Sequence, residues 1–509
     1  MQTRAVHILN EPMPGGSQPL SVPIVQSSAF AFDSADALAD AMAGPDGPYV
    51  YSRRGNPTVR ALERTLAALE GGAAAIAFAS GMGAISGVLL SLLRPGDHVV
   101  AQRCLYGGTY AVLSDLAARY GVEVEYVRGD DPAGFERLVR PTTRVLHIET
   151  IANPTGQVPD LPGLLSAARR HGVVSVVDNS LASPVLCRPV EHGADVVVHS
   201  TTKYLAGHSD VLGGVAVFAD VELRDRVWPR TVELGACADP FAAWLTLRGL
   251  PSLPLRMRQH CAGAQLLAGR LAEHEQVTAV HWPWLPGHPS YDLARKVLSG
   301  GGGMVSFELA GGRAAGRAFI ERVRLARLAL SLGGVETLVA HPASTSHREL
   351  DEEALAAAGI GAGTVRMSVG IEHPDDLWRD IEQALAGLFG PVVEGGEGLE
   401  SGKPGAQGGG GGGDPGRRDR AERGRQRCAG LCVHRSSRWL DRSCRPGGPR
   451  AAGTAPRHHR VGRPLCRASL HGCAFTPIRV YAKDVGRVSD ACAESATLTW
   501  PGSIAVPHR

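Results

Sequence analysis

Apolar and polar positions in the first half of the chain fall into short, regular blocks. Apolar, β-rich runs recur at Ala73–Ala79, Asp97–Ala101, Val122–Val127, Arg144–Ile148, Val173–Asp178, Asp195–His199 and Gly214–Phe218. Each predicts a strand. Between them lie stretches with helical spacing: Thr58–Leu69, Gly83–Leu93 (stopped by Pro95-Gly96), Gly108–Tyr120 and Pro162–His171. Short apolar strands alternating with helices predict an α/β domain with a mostly parallel sheet. Ligands in such sheets bind at the carboxyl ends of the strands.

From about residue 240 the pattern turns more helical, with strands expected near Gly302–Leu309 and Thr364–Val369 and a terminal helix over Pro374–Leu388. Four parts are expected. Residues 1–50 form a polar, Pro- and Gly-containing arm, with no core expected up to about residue 45. Residues 51–243 form the large α/β domain, residues 244–390 a smaller α+β domain, and residues 391–509 a tail. The tail contains an unbroken glycine run, Gly408–Gly413, and Arg, Gly, Pro and Ser dominate it to about residue 470. Such composition buries too little apolar surface to offset chain entropy, so disorder is expected. Its Cys428, Cys432 and His434 have a loose metal-like spacing but lack a second ligand pair, so no metal site is expected. The tail reads as an out-of-frame or read-through product of GC-rich DNA. The alternative is a basic segment that binds nucleic acid through phosphates.

Charge changes this picture in one respect. The formal net charge of +3 conceals a split, because residues 391–509 hold 20 Lys+Arg and 10 Asp+Glu, leaving 33 and 40 for residues 1–390. Arginine supplies nearly all of the positive charge. Lys203 and Lys296 are the only lysines before residue 391. A lysine kept where arginine is the default cation is either an accident of composition or a sign of chemistry that needs a deprotonatable primary amine, such as imine formation. Cys104, Cys187, Cys237 and Cys261 are widely spaced and show no metal-type pairing. No apolar stretch reaches the roughly 18 residues of a membrane helix, and Met1–Gly16 has no apolar signal-peptide core. A reduced, cytoplasmic setting without membrane contact is expected.

Three features stand at strand ends. Ala79-Ser80-Gly81-Met82-Gly83 follows one apolar run and opens a helix. Free N–H groups, the helix dipole and the Ser80 hydroxyl suit a phosphate there, although an ordinary strand-to-helix turn has the same sequence character. Asp178-Asn179 ends the run Val173–Val177. A carboxylate at the end of a buried strand needs a partner, either a protonated ring nitrogen or a structural cap or ion pair. Ser200-Thr201-Thr202-Lys203 follows Asp195–His199 and places two hydroxyl residues beside the scarce lysine.

Together these stretches, with Tyr51-Ser52-Arg53-Arg54-Gly55-Asn56-Pro57-Thr58, Tyr106-Gly107-Gly108-Thr109, Lys203 to Asp210, Ser331-Leu332-Gly333-Gly334 and Arg366 to Gly370, resemble the Cys/Met-metabolism family of pyridoxal 5'-phosphate (PLP) enzymes. The resemblance covers about residues 15–390 and leaves the tail without a counterpart. It implies the aspartate-aminotransferase-like fold (fold type I), with PLP bound in the large domain. Lys203 is similar to the Schiff-base lysine and proton shuttle, and Asp178 to the residue that pairs with the pyridine nitrogen. Ser80, the amides of Gly81 and Met82, and the hydroxyls of Ser200 and Thr202 resemble phosphate ligands. Tyr51 and Arg53 match residues that reach the neighbouring subunit's cofactor. The resemblance therefore implies a dimer with shared sites, usually paired into a tetramer. Tyr106 matches the aromatic that stacks on the ring and helps protonate the leaving sulfur. Asn153, Ser331 and Arg366 match the substrate-binding positions, and a guanidinium fork is suited to a carboxylate.

The family implies one of two reactions on a small sulfur amino acid. The first is α,γ-elimination of methionine, homocysteine or cystathionine to a thiol, 2-oxobutanoate and ammonia, a C–S lyase of trans-sulfuration. The alternative is γ-replacement, as in cystathionine γ-synthases and O-acylhomoserine sulfhydrylases. Family members that handle cystathionine often carry Glu just before the positions of Tyr51 and Ser331. Here Val50 and Leu330 stand there. Apolar side chains suit the short tail of methionine and favour the lyase. Gly108, where methionine lyases usually carry Cys, argues the other way. His341 and His347 lie near the expected substrate entrance without an assigned role.

Overall fold

The computed structural model describes residues 1–9, 19–345 and 359–388, with the single positions 348, 353 and 355. His347, the tail and its Cys428, Cys432 and His434 lie outside the described residues.

The predicted strands of the first half form one seven-stranded sheet. They are β1 (Ala74–Phe78), β2 (His98–Gln102), β3 (Glu123–Val127), β4 (Thr143–Glu149), β5 (Val174–Asp178), β6 (Val196–Ser200) and β7 (Gly214–Phe218). Their order is β1-β7-β6-β5-β4-β2-β3. Strands β2 to β6 pair in parallel, and β7 runs antiparallel between β1 and β6. The sheet is covered on both faces, which explains the continuous apolar runs of its inner strands, while edge strand β3 (EVEYV) is only partly buried. Alternation divides each strand between two cores: Leu146, Val177 and Val197 join one, and Val145, Val176, Val196 and Val198 the other.

Helix ends follow local chemistry. The helix Pro57–Glu70 starts with Asn56, whose side chain accepts from the Thr58 and Val59 N–H groups. It stops at Gly71, which takes φ +83. The helix Gly81–Leu92 starts with Ser80, whose hydroxyl accepts from Gly83 N–H at 3.0 Å.

A second sheet is built from β8 (Val277–His281), β9 (Met304–Leu309), β10 (Arg327–Leu328), β11 (Leu338–Ala340) and β12 (Thr364–Ser368), in the order β10-β11-β12-β9-β8. The helices Leu253–Ala272, Gly312–Arg322 and Pro374–Ala386 bury their apolar faces against it.

The structure departs from the sequence pattern in several places. Strand β8 has two exposed and three half-buried residues, so it lacks an apolar run to reveal it. The arm is not free of structure: Gln2–Val6 is helical and its Ala5 is fully buried in the first core. Ala35–Ala41 is also helical and is capped by Ser34. The expected junction between residues 243 and 244 falls inside the continuous helix Pro240–Gly249.

Candidate active site

The carboxyl ends of the parallel strands and the turn before helix Gly81–Leu92 converge on one region. A Cβ added to Gly81 would lie 2.7 Å from the Ser200 Cβ, so the first turn sits directly against the end of β6. A Cβ on Gly214 would lie 2.1 Å from the Ser80 carbonyl oxygen. Glycine at both positions is what lets these backbones touch. The result is a concave backbone cradle at a helix N-terminus, suited to an anion. Ser180 ties two strand ends together by accepting from Ser200 N–H at 2.8 Å.

Two carboxyl groups lie side by side here. Glu149 ends β4 and is in register with Asp178 on β5. Asp178 accepts from Ser180 N–H at 2.9 Å. Glu149 accepts from Tyr106 N–H at 2.5 Å, and its Oε2 is buried without a partner among the described residues. Burial raises the Asp178 pKa against the lowering influence of Ser180 and His199. Burial, and then the Asp178 charge, raises the Glu149 pKa well above the ordinary carboxylate range. Such a pair attracts a cation or a protonated ring nitrogen. Sequence reasoning missed Glu149, although an acid closing an apolar strand was the same signal that singled out Asp178. Behind the pair, buried Glu70 accepts from Asn179 at 2.8 Å and contacts His199 Nε2 at 2.6 Å, fixing both strand ends.

Lys203 stands just beyond β6. Its Nζ donates to the Ser331 hydroxyl at 2.7 Å. Burial, and then the neighbouring Arg366 charge, pulls its pKa down. Arg366, on β12, donates from Nη2 to the Ser331 carbonyl at 2.9 Å, while its Nε is buried without a partner among the described residues. Ser331 thus joins an amine just past the carboxyl end of β6 in the first sheet to a guanidinium on β12 of the second sheet.

Tyr106 is half-exposed and caps the helix Gly107–Tyr120. A Cβ on Gly108 would fall 2.5 Å from the Tyr106 ring and 2.7 Å from the Met82 sulfur, so these two side chains meet over Gly108. The Thr202 hydroxyl accepts from Gly213 N–H at 3.0 Å. Other expected residues are not joined to this cluster. Tyr51 is 45% exposed and lies 5.7 Å from the Arg53 guanidinium, which itself donates to the Val232 carbonyl. Asn153 is half-buried in the loop after β4, before a cis bond to Pro154. No hydrogen bond among the described residues links Tyr51, Arg53 or Asn153 to Lys203. His341 is buried, with Nδ1 on Ser344 and Nε2 on the Ala362 carbonyl, which makes it a packing residue of the second sheet.

A glycine-lined anion cradle, a raised carboxyl, a desolvated amine and a partly unpaired guanidinium fit PLP and an amino-acid carboxylate. Comparison with known proteins agrees. Residues 2–386 match the family model "Cys/Met metabolism PLP-dependent enzyme". The chain is 44% identical over 385 residues to an L-methionine gamma-lyase of Pseudomonas putida, covering 75% of this chain and 96% of that protein. It is 42% identical over 383 residues to a cystathionine gamma-synthase of Mycobacterium bovis, covering 75% and 96%. The crystal structure of a cystathionine gamma-lyase of Micromonospora echinospora superposes with a TM-score of 0.70 at 40% identity, covering 76% of this chain and 99% of that one. From its cradle to its paired sheets, the chain is a PLP-dependent, fold type I enzyme of the Cys/Met metabolism family.

Proposed function

We propose that this enzyme is a C–S lyase that converts methionine, with homocysteine and cystathionine as related substrates, and water into a thiol, 2-oxobutanoate and ammonia. The observation that carries the reading is Ser331, which holds the Lys203 amine and the Arg366 guanidinium on its two oxygens. An amino acid gripped there by its carboxylate presents its Cα–H to the amine. PLP, when bound, supplies an aldehyde for the substrate amine and a ring that takes up electrons.

The chain's own residues then have these roles. Ser80, the amides of Gly81 and Met82, and the hydroxyls of Ser200 and Thr202 hold the phosphate. Asp178 holds the ring nitrogen. Lys203 moves protons at Cα and Cβ. Tyr106 stacks on the ring and protonates the departing sulfur. Arg366, with Asn153 and Ser331, holds the carboxylate. Tyr51 and Arg53 serve the neighbouring subunit, so the working unit is a dimer, paired into a tetramer, in the cytoplasm. No helix among the described residues is long and apolar enough to cross a membrane.

The lyase reading draws on the L-methionine gamma-lyases among the relatives. The neighbourhood of Leu330, an apolar side chain 63% exposed beside Ser331, also fits a thioether tail. The cystathionine gamma-synthase relatives support γ-replacement as the second reading. Incubation with methionine alone decides between them. Release of methanethiol and 2-oxobutanoate is expected. Product formed only when an acylhomoserine and a thiol are both supplied would overturn the lyase.

A further inference from the structure

The segment that carries Lys203 leaves carbonyls for a distant helix to satisfy. Its turn is closed by Lys203 N–H on the Ser200 carbonyl, Ala206 N–H on Thr201 and Gly207 N–H on Lys203. The next two carbonyls, of Tyr204 and Leu205, are taken by Arg256 in the helix Leu253–Ala272. Arg256 donates to Tyr204 at 2.7 Å, to Leu205 at 3.3 Å and to the Gly249 carbonyl at 2.9 Å, and from Nε to the Ser252 hydroxyl at 3.1 Å. It is buried, and every one of these acceptors is neutral. Burying a guanidinium without a carboxylate is costly, and burial pulls its pKa down to about 10. The guanidinium lies hard against the loop backbone: a Cβ on Gly207, at φ +75, would fall 2.1 Å from its Nη1.

One turn further along the same helix, on the same face, His260 makes the matching contact to the other sheet. It is fully buried, and its Nδ1 donates to the Val369 carbonyl at 2.7 Å and the Gly370 carbonyl at 3.2 Å, three and four residues past Arg366 and directly after the end of β12. Two carbonyl acceptors place the proton on Nδ1. Burial holds the ring's pKa at about 4, so it is a neutral donor at working pH. The His260 ring stands edge-on to Tyr204, with centroids 5.2 Å apart. Two side chains four residues apart therefore grip the backbone one and two residues after Lys203 and three and four residues after Arg366.

We propose that Arg256 and His260 are positioning residues that set the Lys203 amine and the Arg366 guanidinium at one fixed separation. The proposal rests on the roles assigned above to Lys203 and Arg366. It predicts that the two act on different kinetic constants. Arg256 supports the group that moves a proton in the transition state, which governs kcat. His260 supports the group that binds the carboxylate in ground and transition states alike, which governs KM.

The test uses the full-length chain with Arg256→Met, Arg256→Lys, His260→Phe and His260→Gln. Hydrogen–deuterium exchange in the cofactor-free chain requires no turnover. Arg256→Met is expected to speed exchange at residues 203–207 about tenfold, and His260→Phe to do so at residues 367–371, with the first sheet unchanged. With methionine, Arg256→Met is expected to lower kcat at least about tenfold with KM within about threefold, and His260→Phe to raise KM about tenfold. Arg256→Lys and His260→Gln keep a donor and are expected to recover part of each loss. A Met variant that fails to fold leaves the Lys variant, whose kcat must fall with KM retained. Uniformly faster exchange throughout the molecule, or identical changes in kcat and KM for both positions, would overturn the proposal. A wild-type chain inactive on methionine would sink the lyase reading alone, because the exchange experiment still decides this one.

Discussion

Lys203 Nζ rests on the hydroxyl of Ser331, a residue whose φ of +103 lies in the region that favours glycine. A serine kept in that conformation carries backbone strain of about 1–3 kcal/mol. Replacement separates strain from function. Ser331→Gly and Ser331→Ala both remove the hydroxyl and are expected to lower kcat about tenfold. Only Gly relieves the backbone, so the Gly variant is expected to unfold about 0.5–2 kcal/mol later than the Ala variant. Equal stabilities in denaturant titrations, with kcat unaffected, would remove Ser331 from the site.

Arg366 has an electrostatic effect on Lys203 that can be measured without the cofactor. Its charge, after burial, holds the amine's pKa below the ordinary lysine value. Removing a neighbouring positive charge favours the protonated amine. In Arg366→Gln, the pH midpoint for acylation of Lys203, followed by mass spectrometry, is expected to rise. The same variant is expected to lose about 10–100-fold in kcat/KM as its charge-assisted carboxylate bonds disappear. A midpoint that falls or stays put contradicts the assigned proximity.

His147, on β4, is buried with neither ring nitrogen bonded among the described residues, and burial holds its pKa at about 4. The unfolded chain binds its proton near pH 6.5, so between 6.5 and 4 the unfolded state carries more protons. Stability therefore falls as the pH drops through that window, by up to about 3 kcal/mol from this group. His147→Leu is expected to shrink the difference between melting temperatures at pH 8 and pH 5. An unchanged difference would exclude His147 as a source of acid sensitivity.

Gly108 leaves room for Tyr106 and Met82, since a single added carbon would meet both. Gly108→Ala is expected to displace the tyrosine ring and lower kcat about tenfold or more. Adding Met82→Ala opens space on one side and is expected to restore part of the loss. A double variant no better than the single one would show that the ring does not move toward Met82.

A chain ending at Gly390 is expected to match the full-length chain in kcat and KM for methionine, because the family match ends at residue 386. Activity falling more than about tenfold on truncation would give the tail a catalytic role.

What was legible in the sequence depended on burial. The inner strands of the first sheet were legible because strands covered on both faces are written in Val, Ile and Ala, as at Val196–Val198 on parallel β6 and Val215–Val217 on antiparallel β7. Strand β8 carries exposed Thr278 and Ala279, and β10 is two exposed residues long, so neither has a readable pattern. Lys203 stood out through the scarcity of its residue type, and Asp178 through its place at a strand end. Arg256 and His260 did not stand out. A helical pattern assigns Arg and His to the solvent face, and only the carbonyls of residues distant in the chain explain their burial.

One consequence of the sheet order concerns the chain during synthesis. Among the described residues, strand β1 pairs with β7, and its last residue Phe78 bridges Cys237, so residues 74–78 find no strand partner until residue 218 has been made. At ribosomal speeds that is a delay of roughly ten to thirty seconds. Throughout it an apolar ribbon waits with both hydrogen-bonding edges bare, inviting other nascent chains to add to it. Crowded expression should therefore trap this protein as aggregates through residues 74–78, and slower translation should not help.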